Sequence, residues 1–146
     1  MTFTTRLLGV LSLSLACSAQ ALAADRTVFL PLQPAVDAAL AAGKIDGSVK
    51  FYLAGTGPKG RVLEAGVVTN RKTNAFAKKD AEACEWAAQS AVIVLHEAAK
   101  KANANAVTNI VSYYRKNEYT SKTDYECHAG AVVAGVALRG DLTQLK

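Results

Sequence analysis

The stretch Asp80-Ala-Glu-Ala-Cys-Glu-Trp-Ala-Ala-Gln-Ser-Ala-Val-Ile-Val-Leu-His-Glu-Ala-Ala-Lys-Lys101 decides how this chain folds. No proline or glycine interrupts it, and Cys84, Ala88, Ala91, Leu95, Ala98 and Ala102 recur at the spacing that lines up one side of an α-helix. The side chains on that stripe are small, so the helix is expected to lie close against a sheet. Asp80 is placed to cap its start. Glu82 and Glu85 in the first turns and Lys100 and Lys101 in the last complement the helix dipole, and Asn103 or Asn105 can supply the stop.

Working outward toward the N-terminus, Asn70 to Lys79 is polar and basic and reads as a loop, and Arg61 to Thr69 reads as a strand. Val49, Phe51 and Leu53 alternate with Ser48, Lys50 and Tyr52, which is the period of a strand with one buried face. Between these two strands lies Gly55-Thr-Gly-Pro-Lys-Gly60, and the arrangement predicts a hairpin. Ala35 to Ala42, with Pro34 near its start and Gly43 after it, is punctuated as a short helix. Thr27 to Leu32 is a first strand, ended by Pro31 and Pro34 and suited to a sheet edge. Toward the C-terminus, Ala106 to Tyr114 and Ala129 to Arg139 read as the last two strands. The predicted order is β-α-β-β-α-β-β. It implies a single α+β domain with a mainly antiparallel sheet and a short and a long helix packed on one face.

Composition agrees with one modest core. The chain has 146 residues, of which 51% are hydrophobic and 20% charged, so it is neither a disordered polyelectrolyte nor a bundle of membrane spans. Residues 1–24 contain a single charge, Arg6. Leu7 to Cys17 is apolar, and Ala21-Leu22-Ala23 follows as an A-x-A cleavage site, which reads as a secretory signal over residues 1–23 and a domain over 24–146. A transmembrane anchor would need ~20 apolar residues. Ser14-Leu15-Ala16 before Cys17 misplaces the leucine and small residue of a lipoprotein signal, so Cys17 is expected to leave with the signal. The expected location is the bacterial periplasm.

That leaves Cys84 and Cys127, an even count in an oxidising compartment, where pairing in a disulfide is the expectation. The alternative is a metal-binding or thiol redox module using the same two cysteines. It has no C-x-x-C to support it, and Cys127 and His128 would face opposite ways on a strand.

Other motifs carry less. Gly55 to Gly60 matches G-x-G-x-x-G, but it leads into a strand instead of opening the helix that would face a phosphate. His96-Glu97 lacks the second histidine of a zinc protease helix, because Lys100 stands four residues on. No nucleophile elbow or P-loop is present. The sequence therefore offers no catalytic residue, no metal ligand set and no cofactor site, and a non-enzymatic domain is expected.

The candidate binding surface is the tyrosine-rich segment Ser112 to Tyr125, in which Tyr113, Tyr114 and Tyr119 stand beside Arg115, Lys116 and Lys122. Rings interleaved with cations can stack on sugars and hold anions. The bland reading is a long connection whose tyrosines cover the sheet end. A pI of about 9.2 would suit nucleic acid, but export directs the expectation to an envelope protein or an anionic cell-wall or lipopolysaccharide component.

Lys72-Thr-Asn-Ala-Phe-Ala-Lys78, Glu82-Ala-Cys-Glu-Trp-Ala87, Ala104-Asn-Ala-Val-Thr-Asn-Ile-Val-Ser-Tyr-Tyr-Arg-Lys-Asn-Glu118 and Tyr125-Glu-Cys-His-Ala-Gly130 resemble a family of small exported bacterial proteins that often carry the automatic label "excinuclease ATPase subunit". With no Walker motif and no zinc module, the chain has nothing to perform that activity. More distantly, the helix leading through Ala-Asn-Ala-Val into a strand is similar to the YbjQ-like domain and to the periplasmic domain of the Rcs stress-sensor lipoprotein. That resemblance implies a compact α+β domain and transfers no catalytic residue.

Overall fold

The computed structural model describes residues 25–146, so the expected secretory signal, its expected cleavage site and Cys17 lie outside the described residues. Six strands and two helices follow one another as β1 (Arg26–Pro31), α1 (Leu32–Ala41), β2 (Lys50–Leu53), β3 (Arg61–Asn74), α2 (Asp80–Lys101), β4 (Ala106–Ser112), β5 (Asp124–Ala129) and β6 (Val133–Gln144). A turn of 3₁₀-helix, Tyr114–Lys116, separates β4 from β5. The domain is α+β, in the expected order with one strand added. The addition, β5, comes from the segment read as a connection. Its Tyr125, Cys127 and Ala129 are buried and alternate with half-buried Asp124, Glu126 and His128.

β6 organises the sheet. It pairs antiparallel with β3 from Arg61↔Gln144 to Asn74↔Val133. Its other edge is shared, with β4 along Leu138 to Thr143 and β5 along Ala134 to Val136. The sheet therefore forks, one arm ending in β1 paired with β5 and the other in β2 paired with β4. β1 is an edge strand, as expected for a strand that ends in Pro31. The isolated pairing of Ser112 with Tyr119 closes the fork, and the Tyr113 N–H donates to the Ala137 carbonyl at 2.8 Å.

The predicted β2–β3 hairpin is not formed. β2 pairs in parallel with β4, and β4 and β6 stand between it and β3. Residues 54–60 cross from one arm of the sheet to its far edge, and the glycines there serve close approach. A Cβ at Gly57 would come within 2.7 Å of Tyr52 Cβ, and one at Gly60 within 2.7 Å of the Gln144 carbonyl. β3 also runs on through Asn70–Asn74, where the sequence predicts a loop, because β6 supplies a partner along the whole length. β6 itself begins later and ends later than the predicted Ala129–Arg139.

β3 and β4 both run antiparallel to β6 and are joined by α2, a βαβ unit split by a strand. On α2, Cys84, Ala88, Ala91 and Leu95 are buried as the periodicity predicts. So are Ala83, Ala87, Val92, His96 and Ala99, because α2 packs on β3 and β6 with one flank and on α1 with another. Asp80 does not cap α2. It is the first helical residue, and its carboxylate receives both Nε (2.6 Å) and Nη2 (2.8 Å) of Arg26, tying the β1 edge to the helix start. At the far end Asn103 takes the left-handed conformation, φ 58°, and the Ala104 N–H reaches the Ala99 carbonyl at 2.8 Å.

Cys84 of α2 and Cys127 of β5 form a disulfide with their Cα atoms 5.8 Å apart. Both are 0% exposed, so the link ties the helix layer to the sheet inside the core.

Candidate functional site

Among the described residues, the α-helices cover one face of the sheet only. Strand alternation sends Val28, Leu30, Tyr125, Cys127, Ala134, Val136 and Leu138 toward α2, and the intervening residues to the opposite face. In register across that opposite face stand Thr27 of β1, His128 of β5, Gly135 of β6 and Lys72 of β3. The 3₁₀ turn comes down over this row and makes a cleft of about 320 Å³, lined by Asp25, Lys72, Tyr114, Arg115, His128, Val133 and Gly135.

The Tyr114 ring stacks on the His128 imidazole, with centroids 3.5 Å apart and planes 12° from parallel. Glu126, two residues back on the same face of β5, accepts a hydrogen bond from His128 Nε2 at 2.5 Å and so fixes the ring orientation. The Arg115 guanidinium lies 5.2 Å from the Tyr114 ring centroid, a cation over an aromatic face. Lys72 and Arg115 are exposed. The cleft thus sets two cations from different elements against a rigid pair of rings.

The backbone beneath Arg115 is unusual. Arg115 (φ 50°, ψ 35°) and Lys116 (φ 64°) are successive non-glycine residues in the left-handed region. Each such residue costs roughly 1–2 kcal/mol, a cost glycine avoids. Local strain at a ligand site is held by the structure around it. Here the Tyr113–Ala137 and Ser112–Tyr119 pairings anchor the chain before and after the turn.

The six surface residues expected from the sequence are not brought together. Tyr114 and Arg115 form the cleft, and Lys116 is exposed beside them. Tyr113 receives the Arg139 guanidinium 4.6 Å from its centroid, and Arg139 also pairs with Glu118. Tyr119 packs on Phe29 at 4.8 Å. Lys122 lines another groove, with Pro31, Phe51 and Tyr52. Tyr125 is core, 1% exposed, and burial with Glu85 nearby pushes its hydroxyl pKa up. Lys72, His128, Asp25 and Gly135 were not anticipated, since only the pairing of β3, β5 and β6 makes them neighbours.

A second polar cluster is structural. Asp46 accepts the Ser48 N–H and hydroxyl, His96 Nε2 at 2.9 Å and Lys100 Nζ at 3.2 Å. These bonds, those of Ser48 foremost, hold its carboxyl well below the usual range. The cluster pins the loop after α1 to α2. Among the described residues, no group of three His, Cys, Asp or Glu is placed to hold a metal ion, and no helix is long and apolar enough to cross a membrane. No family model, curated relative or solved structure matches the chain.

Proposed function

We propose that this chain is an exported, non-enzymatic domain of the bacterial periplasm that binds an anionic envelope component or a protein partner, with the Cys84–Cys127 disulfide as its frame. The observation that carries the reading is the convergence of Lys72 and Arg115 on the Tyr114–His128 pair, on the sheet face that no helix covers. Cations beside stacked rings suit an anion attached to a flat or hydroxylated body. Against a metal or redox role for the cysteines stands their chemistry. A metal site needs free thiolates, and a redox disulfide needs a sulfur that an attacking thiolate can reach; both sulfurs are bonded to each other at 0% exposure.

Retention on immobilised peptidoglycan or lipopolysaccharide tests the reading. Replacing Arg115 and Lys116 together by Ala should weaken retention while changing stability by less than ~0.5 kcal/mol per site, the usual scale for surface positions. Retention of the native protein should also fall as salt rises, since exposed charges are screened beyond about 8 Å at physiological ionic strength. Retention indifferent to both the substitution and salt would refute it.

A further inference from the structure

We propose that the cleft between Tyr114, His128, Lys72 and Arg115 seats one sugar unit bearing a phosphate monoester. This rests on the reading above and narrows its ligand. Size points to a single unit. At about 320 Å³ the cleft is at the lower end of the ~300–1,000 Å³ that small-molecule sites span. Its floor is open by sequence, because a Cβ on Gly135 would meet only Lys72 Cγ at 3.7 Å and the Arg71 carbonyl at 3.8 Å, ordinary contact distances. An alanine would fit there without moving the backbone, and a longer side chain would extend into the cleft.

Charge geometry points to phosphate. Lys72 comes from β3 and Arg115 from the 3₁₀ turn, so the cations flank the cleft from separate elements. A tetrahedral phosphate offers oxygens to both. A planar carboxylate is matched best by one guanidinium fork. The sugar is implied by the remaining lining. Tyr114 and His128 cover one face of each other and Arg115 lies over Tyr114, so the stack presents apolar ring edges to the C–H groups of a pyranose, and Asp25 can only accept hydrogen bonds. A carboxylate at the rim repels a bare anion and favours one that carries hydroxyl donors. The left-handed conformation at Arg115 points the same way, since glycine would relieve it and would remove the cation.

Titration calorimetry of the full chain with N-acetylglucosamine phosphate, N-acetylglucosamine and inorganic phosphate tests the assignment. The phosphorylated sugar should bind at least tenfold tighter than either fragment. Gly135→Leu should abolish that binding, and Lys72→Gln and Arg115→Gly should each weaken it about tenfold. Arg115→Gly should at the same time raise the melting temperature, so affinity and stability move in opposite directions. Vesicles carrying a phosphorylated glucosamine glycolipid separate the sources. Capture with the same Lys72 and Gly135 dependence identifies a lipid headgroup, and binding of the free sugar phosphate alone identifies a soluble ligand. Equal affinity for the neutral sugar, or binding unchanged by Lys72→Gln, overturns the assignment even if Gly135→Leu fails to fold. Envelope retention that still depends on Arg115 and Lys116, without sugar phosphate binding, defeats this inference and leaves the broader reading intact; loss of both defeats both.

Discussion

The two faces of the sheet are built by different rules. On the helix-covered face, buried alanines at Ala83, Ala87, Ala88 and Ala91 let α2 approach the strands closely, and the disulfide locks the layers. On the opposite face, small residues are present at Gly135 and Ala137, but the element above them is a strained turn carrying Arg115, and a cleft remains. Small side chains under a helix close a core, and small side chains under a polar turn leave room for something else. The contrast separates positions that close the core from positions that leave the cleft open.

The largest expected effect breaks the closed face. The disulfide closes a loop with a sequence separation of 43 residues. In the chain-entropy model such a loop is worth ~4 kcal/mol. Cys84→Ser and Cys127→Ser should destabilise alike in denaturant titrations, and the double variant should be no worse than either, because one cross-link is lost in each case. Reductant should lower the melting temperature of the native protein alone. A smaller effect sharpens the comparison directly. Ala91→Leu, at a position 0% exposed beneath the helix, should cost about 1–3 kcal/mol by overpacking. Gly135→Ala on the other face should be neutral or slightly stabilising, since glycine in a strand interior is unfavourable by roughly 0.5–1 kcal/mol. Equal losses at both sites would erase the distinction.

The smallest effect belongs to the tethers at the edges of the domain. The Arg26 guanidinium lowers the pKa of Asp80, and Ser48, with His96 and Lys100, lowers that of Asp46. For a carboxylate depressed in the folded state, the stabilisation is complete above its unfolded value near ~4 and is lost as pH falls below it. Melting temperature should therefore drop on acidification below about pH 4, and Asp46→Asn with Asp80→Asn should flatten that slope. A slope unchanged in the double variant would assign the acid sensitivity elsewhere.

What could be read from the sequence followed the same division. The α2 stripe, the Asn103 stop and the Cys84–Cys127 pairing depend on local period and on cysteine count, and they stand as expected. The second buried flank of α2, where it meets α1, depends on how α1 packs, which no local pattern states. The β2–β3 hairpin failed because a glycine-rich loop between two strands has the same local signature whether the strands pair or not. β5 is not predicted although Tyr125, Cys127 and Ala129 alternate with polar residues, because the polar, tyrosine-rich residues before it carry the signature of a connection. The cleft escaped because Lys72 and His128 are joined by β6, a partner remote in sequence from Lys72.

The central place of β6 sets a timetable for folding. It is the last of the described strands to be synthesised, yet β3, β4 and β5 each find their partner in it. Until Val133–Gln144 is available, β3 has no strand beside it, and the β4–β2 and β5–β1 pairs lack the strand that lies alongside both. Contacts this distant in sequence close large loops late and favour slow, cooperative assembly. A chain threaded from its N-terminus through a narrow channel would not complete its sheet until Val133–Gln144 had emerged.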